Sequence, residues 1–274
     1  MSVSGSRQIP LSAADEAAPV LCVRLARDEN DLRAAQRLRY RVFIQEMGGD
    51  GPLVDHDRQL ERDALDPILD HLLLIDTRCA PDEGAHVVGA YRLLPDTCLP
   101  EAGRFYCDSE FDLSRLRQTG RKMLELGRSC IHPAYRGGSG MFQMWQGLAD
   151  YVVARDIGIL FGAASFHGTD PNAFAQPLSW LHHHYLAPEA LRVTSLQRNG
   201  FGPLPREALD ARAAMAQMPP LIRAYLRLGG KIGAGVYIDH AFRTTDICII
   251  LDTDTLSASA QGFATRMRAQ SGPL

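Results

Sequence analysis

The sequence predicts a mixed α/β (α+β) fold in which a central sheet is flanked by helices. Three observations carry that prediction. Short apolar runs of strand length recur along the chain, segments with apolar residues at helical spacing separate them, and residues 122–165 run in the order strand, glycine turn, helix, strand. The 274 residues are 46% hydrophobic and 22% charged, an ordinary globular composition with enough apolar side chains for a large core.

Residues 1–20 are rich in Ser and Ala, carry Pro10 and Pro19, and show no periodicity, so a flexible tail is expected there. The domain is expected over 21–254, followed by a C-terminal helix or tail over 255–274. From Asn30, Leu32, Ala35, Leu38, Val42 and Phe43 recur at helical spacing between Arg33, Arg37, Arg39 and Arg41, which predicts an amphipathic helix with an arginine-rich face. Between Asp50 and Asp70, seven acids face only Arg58 and Arg62, making this the most acidic stretch. Apolar runs at 71–75 and 86–94, separated by Pro81 and Gly84, predict a hairpin. A third strand is expected over 122–131, ended by His132 and Pro133.

Gly137, Gly138 and Gly140 then open a helix over 141–155, with Met144, Trp145, Leu148, Tyr151 and Val152 on one face. Residues 159–165 read as a buried strand, and Asp170 followed by Pro171 signals a helix start. Pro219 and Pro220 open another helix through Leu228, which Gly229 and Gly230 stop. Residues 231–238 and 245–252 predict two final strands, and no internal repeat is present.

Charge and cysteine usage exclude several classes. The net charge is −3, and of 29 basic residues only Lys122 and Lys231 are lysines, so the basic surface of a nucleic-acid binder is missing. Six cysteines without a C-x-x-C pair read as reduced thiols of a cytoplasmic protein. The first twenty residues lack the apolar core of a secretory signal, and the longest apolar run, 159–166, is far short of the ~20 residues of a bilayer span. Three consecutive histidines, His182 to His184, cannot all reach one ion from a helix, and no metal site is expected. Ser139 lacks the closing glycine of a hydrolase elbow.

Four features bear chemistry. The segment Tyr135-Arg-Gly-Gly-Ser-Gly140 lies between a strand and a helix, where backbone N–H groups can cradle a phosphate; a plain tight turn fits the same composition. Glu61, Asp63 and Asp66 form E-x-D-x-x-D, suited to a cationic substrate or to a solvated acidic loop. Glu125 and Arg128 interrupt an apolar strand at an odd separation, so a regular strand sends them to opposite faces and a bulge brings them to one. Charges inside a buried strand are paired or functional. His167, in Ser-Phe-His-Gly-Thr-Asp170 just past a strand end, stands in an active-site loop or holds that loop by hydrogen bonds.

Taken together, the blocks LRYRVFIQEMG (38–48), GAYRLLP (89–95), LELGRSCIHPAYRGG (124–138), SFHGTDP (165–171) and PPLIRAYLRLGGKIGAGVYIDHAFRTTDICIIL (219–251), with the acidic segment, resemble the GNAT acyltransferase superfamily. More narrowly, they resemble the bacterial L-ornithine N-alpha-acyltransferases that begin ornithine-lipid synthesis. The resemblance implies a GNAT-like, mostly antiparallel central sheet. Acyl-homoserine-lactone synthases are similar too, and their charged pattern is matched by Arg39, Phe43, Glu61, Asp63, Asp66, Arg92, Glu125 and Arg128. Their tryptophan after the first helix has no counterpart, since the tryptophans here are Trp145 and Trp180. The pyrophosphate loop of coenzyme A enzymes is also imperfect, because Ser139 and Met141 occupy its last two glycine positions when Arg136 is aligned first.

What the resemblance implies is transfer of a 3-hydroxyacyl group from acyl carrier protein to the α-amine of L-ornithine, giving lyso-ornithine lipid. Glu125 is then the base and Arg128 its catalytic companion. Arg39, Phe43, Glu61, Asp63, Asp66, Arg92, Ser165 and His167 are substrate contacts, and Arg136, Gly137, Gly138 and Gly140 bind the donor's phosphopantetheine. No permanently bound cofactor is expected. Acyl carrier protein brings the thioester as cosubstrate, acyl-CoA is the alternative donor, and a lipid product implies peripheral work at the inner face of the membrane. Two other readings stay open: an acyltransferase for another amino acid or amine, acyl-homoserine lactone included, and a noncatalytic acyl-chain-binding protein.

Overall fold

The computed structural model describes residues 20–81, 84–198 and 201–256. The tails expected at 1–20 and 255–274 therefore lie outside the described residues, apart from Val20, Thr255 and Leu256. The strands are β1 (Leu21–Leu25), β2 (Asp70–Asp76), β3 (Val87–Pro95), β4 (Phe111–Asp112), β5 (Met123–Ile131), β6 (Ile159–His167), β7 (Thr194–Ser195), β8 (Lys231–Ile232), β9 (Tyr237–Asp239) and β10 (Thr244–Asp252). The α-helices are α1 (Glu29–Arg39), α2 (Leu99–Ala102), α3 (Ser114–Gln118), α4 (Gly140–Arg155), α5 (Ala175–Tyr185), α6 (Ala211–Gln217) and α7 (Pro220–Arg227).

One sheet organises the chain, in the order β1-β2-β3-β5-β6-β10-β8, with β9 also paired to β10; β4 and β7 form a separate ribbon. Every pairing in the large sheet is antiparallel except β5 with β6. The period-two rule sorts its two faces. Leu73 and Ile75 of β2 pack with Ala34, Ala35 and Leu38 of α1, whereas Leu72 and Leu74 pack with Met144, Leu148 and Tyr151 of α4. Phe105, Phe111 and Leu116 close a third cluster over Met123, Phe161 and Ile250.

The hairpin expected at 71–94 is β2–β3, and the strand, glycine turn, helix, strand order is β5, α4, β6. Two expectations need correction. The first helix does not run on as one regular element, because α1 gives way to a π-helical stretch over Tyr40–Glu46. Its arginines do not share one solvated face either: Arg33, Arg37 and Arg41 are exposed, while Arg39 is fully buried. The strand expected over 231–238 is divided. Gly233 N–H still donates to Cys248 O at 2.9 Å, but Ala234 N–H turns to Val193 O at 2.8 Å and Gly235 takes a left-handed φ of +79°, so the chain leaves the sheet and rejoins it as β9. Asp170 caps a short 3-10 turn, Pro171–Phe174, that leads into α5.

β5 and β6 pair only from Met123 with Ile159 to Glu125 with Phe161. Beyond that point they part. Gly162 stands at the fork, where a Cβ would lie 2.2 Å from Leu126 O, so only glycine permits the approach. None of the six cysteines is disulfide-bonded; Cys107, Cys130 and Cys248 are buried and Cys22 is exposed. Among the described residues no helix is long and apolar enough to cross a membrane.

Candidate active site

The fork opens a cavity of about 730 Å³. One flank is the second half of β5 with the loop that follows it, and the other is β6 with β10. Met141, Trp145, Leu221 and Tyr225 from α4 and α7 form an apolar wall, with the rings of Trp145 and Tyr225 stacked 6.0 Å apart.

Of the two arrangements that the odd spacing of Glu125 and Arg128 allowed, β5 takes the bulged one. Its register against β3 slips between Arg92, opposite Gly127, and Ala90, opposite Cys130. Arg128 takes a left-handed φ of +50°, an unusual backbone for a residue with a Cβ, and both charged residues reach the cavity. The Arg128 guanidinium lies 4.1 Å from the centroid of Phe242 and 5.0 Å from that of Tyr106, and Nε donates to Glu61 at 3.2 Å. Burial opposes its charge, but Glu61 and the other acids outweigh that and raise its pKa.

Glu125 has both carboxylate oxygens engaged. Oε2 accepts the Tyr106 N–H and Oε1 the Cys107 N–H, each at 2.7 Å, at the start of the 3-10 turn Tyr106–Ser109. Burial pushes its pKa up against those two donors. Each oxygen keeps a lone pair for a further partner.

Glu61, Asp63 and Asp66 are not solvated. Arg39 donates from Nε to Glu61 at 2.5 Å, and from Nη1 and Nη2 to Asp66 at 2.8 and 2.6 Å. Arg92 pairs with Asp63 at 2.9 Å. Three acids thus meet Arg39, Arg92 and Arg128 in one closed ion-pair network behind the cavity, and none of the three lines it. Burial raises the pKa of each acid, yet Arg39 holds Glu61 and Asp66, and Arg92 holds Asp63, below the usual carboxylate range. Phe43, aimed by the π-helical stretch, reaches the cavity and meets Phe242 edge-on. Ser165 lies on the cavity wall, whereas His167 is exposed outside it.

The glycine loop meets the cavity at Arg136, Gly137 and Gly138. Gly140 starts α4 and is buried instead under the sheet, where a Cβ would meet Leu74 at 2.9 Å. No side chain caps the first turn of α4, which leaves its N-terminal N–H groups facing the loop. The charge of Arg136 is already committed, through a two-pronged pair with Glu46 at 2.5 and 2.7 Å.

Sequence reasoning missed the acids that do face the cavity. Glu110, Asp239 and Asp246 line it and hold their carboxylate oxygens within 4.8 Å of one another. They come from three elements: the turn before β4, the end of β9, and β10, whose register places Asp246 opposite Ser165 and Thr244 opposite Asp239. Burial, then the charges of Asp246 and Asp239, push Glu110 up to about 9; burial, with Asp239 adding to it, pushes Asp246 up to about 6. The one available signal was Asp246 inside the apolar strand TTDICIIL, the same kind of interruption that singled out Glu125.

A forked β5–β6 pair, with a glycine loop and helix N-terminus at its mouth and an apolar wall, is the site of a GNAT-type acyltransferase. The GNAT acetyltransferase domain model matches residues 38–146. A CoA-dependent acyl-homoserine lactone synthase of known structure shares the fold, with a TM-score of 0.53 at 12% identity over 93% of this chain and 95% of that one. The L-ornithine N(alpha)-acyltransferase of Rhodobacter capsulatus is 54% identical over 89% of this chain and 94% of its own length. Its namesake in Brucella abortus is 41% identical over 86% and 85%. The chain belongs to the L-ornithine N(alpha)-acyltransferase family and is an acyltransferase.

Proposed function

We propose that this protein moves a 3-hydroxyacyl group from the phosphopantetheine thioester of acyl carrier protein to the α-amine of L-ornithine, releasing N-acylornithine (lyso-ornithine lipid) and the free carrier thiol. The observation that carries the reading is the fork between β5 and β6, open beside the N-terminus of α4. A pantetheine arm entering there directs its phosphate to N–H groups of the loop and helix start. Its acyl chain runs along Met141, Trp145, Leu221 and Tyr225.

In the reaction the α-ammonium first loses a proton. The amine nitrogen then attacks the thioester carbonyl, the C–N bond forms, the C–S bond breaks and the thiolate takes a proton as it leaves. Glu125 accepts the amine's proton, directly or through a water, on the lone pair that each oxygen keeps beside its backbone donor. Negative charge on the attacked oxygen is met by N–H groups at the Arg128 bulge, and Arg128 itself holds a carboxylate. Three features support a carrier-protein donor over a nucleotide one: the imperfect glycine loop, the engagement of Arg136 by Glu46, and the exposed Arg33, Arg37 and Arg41 for an acidic carrier. The lipid product puts this work in the cytoplasm, against the inner face of the membrane.

The test is purified protein with a 3-hydroxyacyl carrier protein and ornithine, following free thiol and N-acylornithine by mass spectrometry. Product that requires both substrates is the expected result. Thiol release independent of ornithine, or faster transfer from the matching acyl-CoA, would overturn the acceptor or the donor respectively.

A further inference from the structure

The trio Glu110, Asp239 and Asp246 has no part in the chemistry described above, yet it borders the same cavity. Glu110 and Asp246 are only 2% and 3% exposed, and Glu110 Oε2 and Asp246 Oδ1 have no hydrogen-bond partner. The hydroxyl of Thr244, also buried beside them, is likewise without one. Asp239 keeps part of its capacity for the N–H groups of Ala241 and Phe242, at 2.8 and 3.0 Å. Among the described residues no arginine, lysine or histidine forms an ion pair with any of the three. Buried carboxylates this close repel one another, and unpaired acceptors at a cavity wall are costly until a donor arrives.

We propose that Glu110, Asp239 and Asp246 bind the second ammonium group of a diamino-acid acceptor, the one that is not acylated. A primary ammonium carries three N–H donors and a positive charge, one donor for each acid, and its charge releases the proton that Glu110 otherwise holds and relieves the repulsion among the three. The position fits the reaction. Asp246 stands opposite Ser165 on the β6–β10 flank, while Glu125 and Arg128 stand on the β5 flank, so an acceptor anchored by its side-chain nitrogen spans the fork with its α-amine toward the thioester. A neutral amino acid of the same length would leave the carboxylates unpaired and be rejected. This proposal rests on the reading that the acceptor is ornithine or another diamino acid.

The experiment compares ornithine with norvaline, which lacks only the side-chain amine, in the wild type and in Glu110→Gln, Asp246→Asn and their combination. These isosteric changes remove charge without leaving a new buried ion, so the fold is retained. The wild type should prefer ornithine in kcat/KM by at least about 1,000-fold. The double variant should lose about 100-fold or more of that ratio, chiefly through a higher KM for ornithine, with norvaline turnover unchanged or improved. A ratio that does not move overturns the proposal while leaving ornithine acylation standing. Equilibrium binding of ornithine and norvaline to donor-free protein separates the opposite case. Ornithine binding that depends on the trio, in a protein that acylates no amine, sinks the acyltransfer reading and keeps the ammonium site. Saturable binding of Mg2+, Ca2+ or Mn2+ that is lost in the double variant, with amino-acid selectivity unmoved, overturns the proposal in favour of a divalent-cation site.

Discussion

Two groups of three carboxylates flank Arg128, and their surroundings finish them in opposite ways. Glu61, Asp63 and Asp66 are compact in sequence and closed by Arg39, Arg92 and Arg128. Glu110, Asp239 and Asp246 are scattered in sequence, open to the cavity and without an ion-pair partner among the described residues. The first group can take no further cation, because its negative charge is already matched one for one. The second is built to take one. Acidity in a sequence therefore says little about where a cation binds until the arginines are located.

The contrast can be broken most severely at Arg39. Replacing it with Met leaves Glu61 with Arg128 alone and Asp66 with only Arg92 at 3.5 Å, so that three buried acids face two arginines, and should cost about 3–5 kcal/mol of stability, read from urea unfolding. A loss below about 1 kcal/mol would mean that the closed network is not what holds α1 against the acidic loop.

A second break uses pH. Glu61 and Asp66 have folded pKa values below their unfolded ones, so the stability they confer is complete above the ordinary carboxylate range and is lost as pH falls through the folded values. Glu110 behaves in the reverse sense. Its folded value of about 9 lies above the ordinary 4.5, so the folded state holds more protons in that window and stability should decline as pH rises from about 5 to 9. Glu110→Gln should flatten that decline and raise the midpoint of thermal unfolding at pH 8 by the equivalent of more than about 1 kcal/mol. Ornithine should do the same to the wild type. A pH profile that is identical in the two proteins would place Glu110 in contact with a partner it does not have in the structure.

Glu125 sharpens the comparison from between the two groups. Glu125→Gln should lower kcat by about 100-fold or more as a general base is lost. The amide must also turn its NH2 toward one of the Tyr106 and Cys107 N–H groups, a mismatch worth about 1–3 kcal/mol of stability. The acid limb of the pH–rate profile is therefore the diagnostic: it should vanish in the variant if Glu125 is the base, and persist if Glu125 only pins the turn. The smallest effect expected is at the exposed arginines. Arg37→Ala should raise KM for the carrier about two- to fivefold at low salt and have no effect at 0.5 M, where charge steering is screened.

The elements that the sequence made legible were those whose period or punctuation is local. β2, β3, β5, α4 and β6 follow from alternation, helical spacing and the Gly137–Gly140 turn, while the odd spacing of charges in β5 allowed either opposite faces or a bulge, and the register against β3 chose the bulge. The break after Ile232 was not legible, because it depends on the Val193 carbonyl, just before β7 and distant in sequence, accepting the Ala234 N–H. Helical spacing grouped Arg39 with Arg33, Arg37 and Arg41, and only the acidic loop folding over α1 sets it apart by burying it.

By itself, then, the sequence determined the fold class, the strand and helix that frame the fork, the charged pair of β5, and the family signature that runs through them, since each is written in residues a few positions apart. The tertiary structure alone decided which carboxylates are spent and which are available. Pairing and burial depend on what stands across the space, and Glu110, Asp239 and Asp246 meet only because the β9–β10 hairpin folds beside the turn before β4.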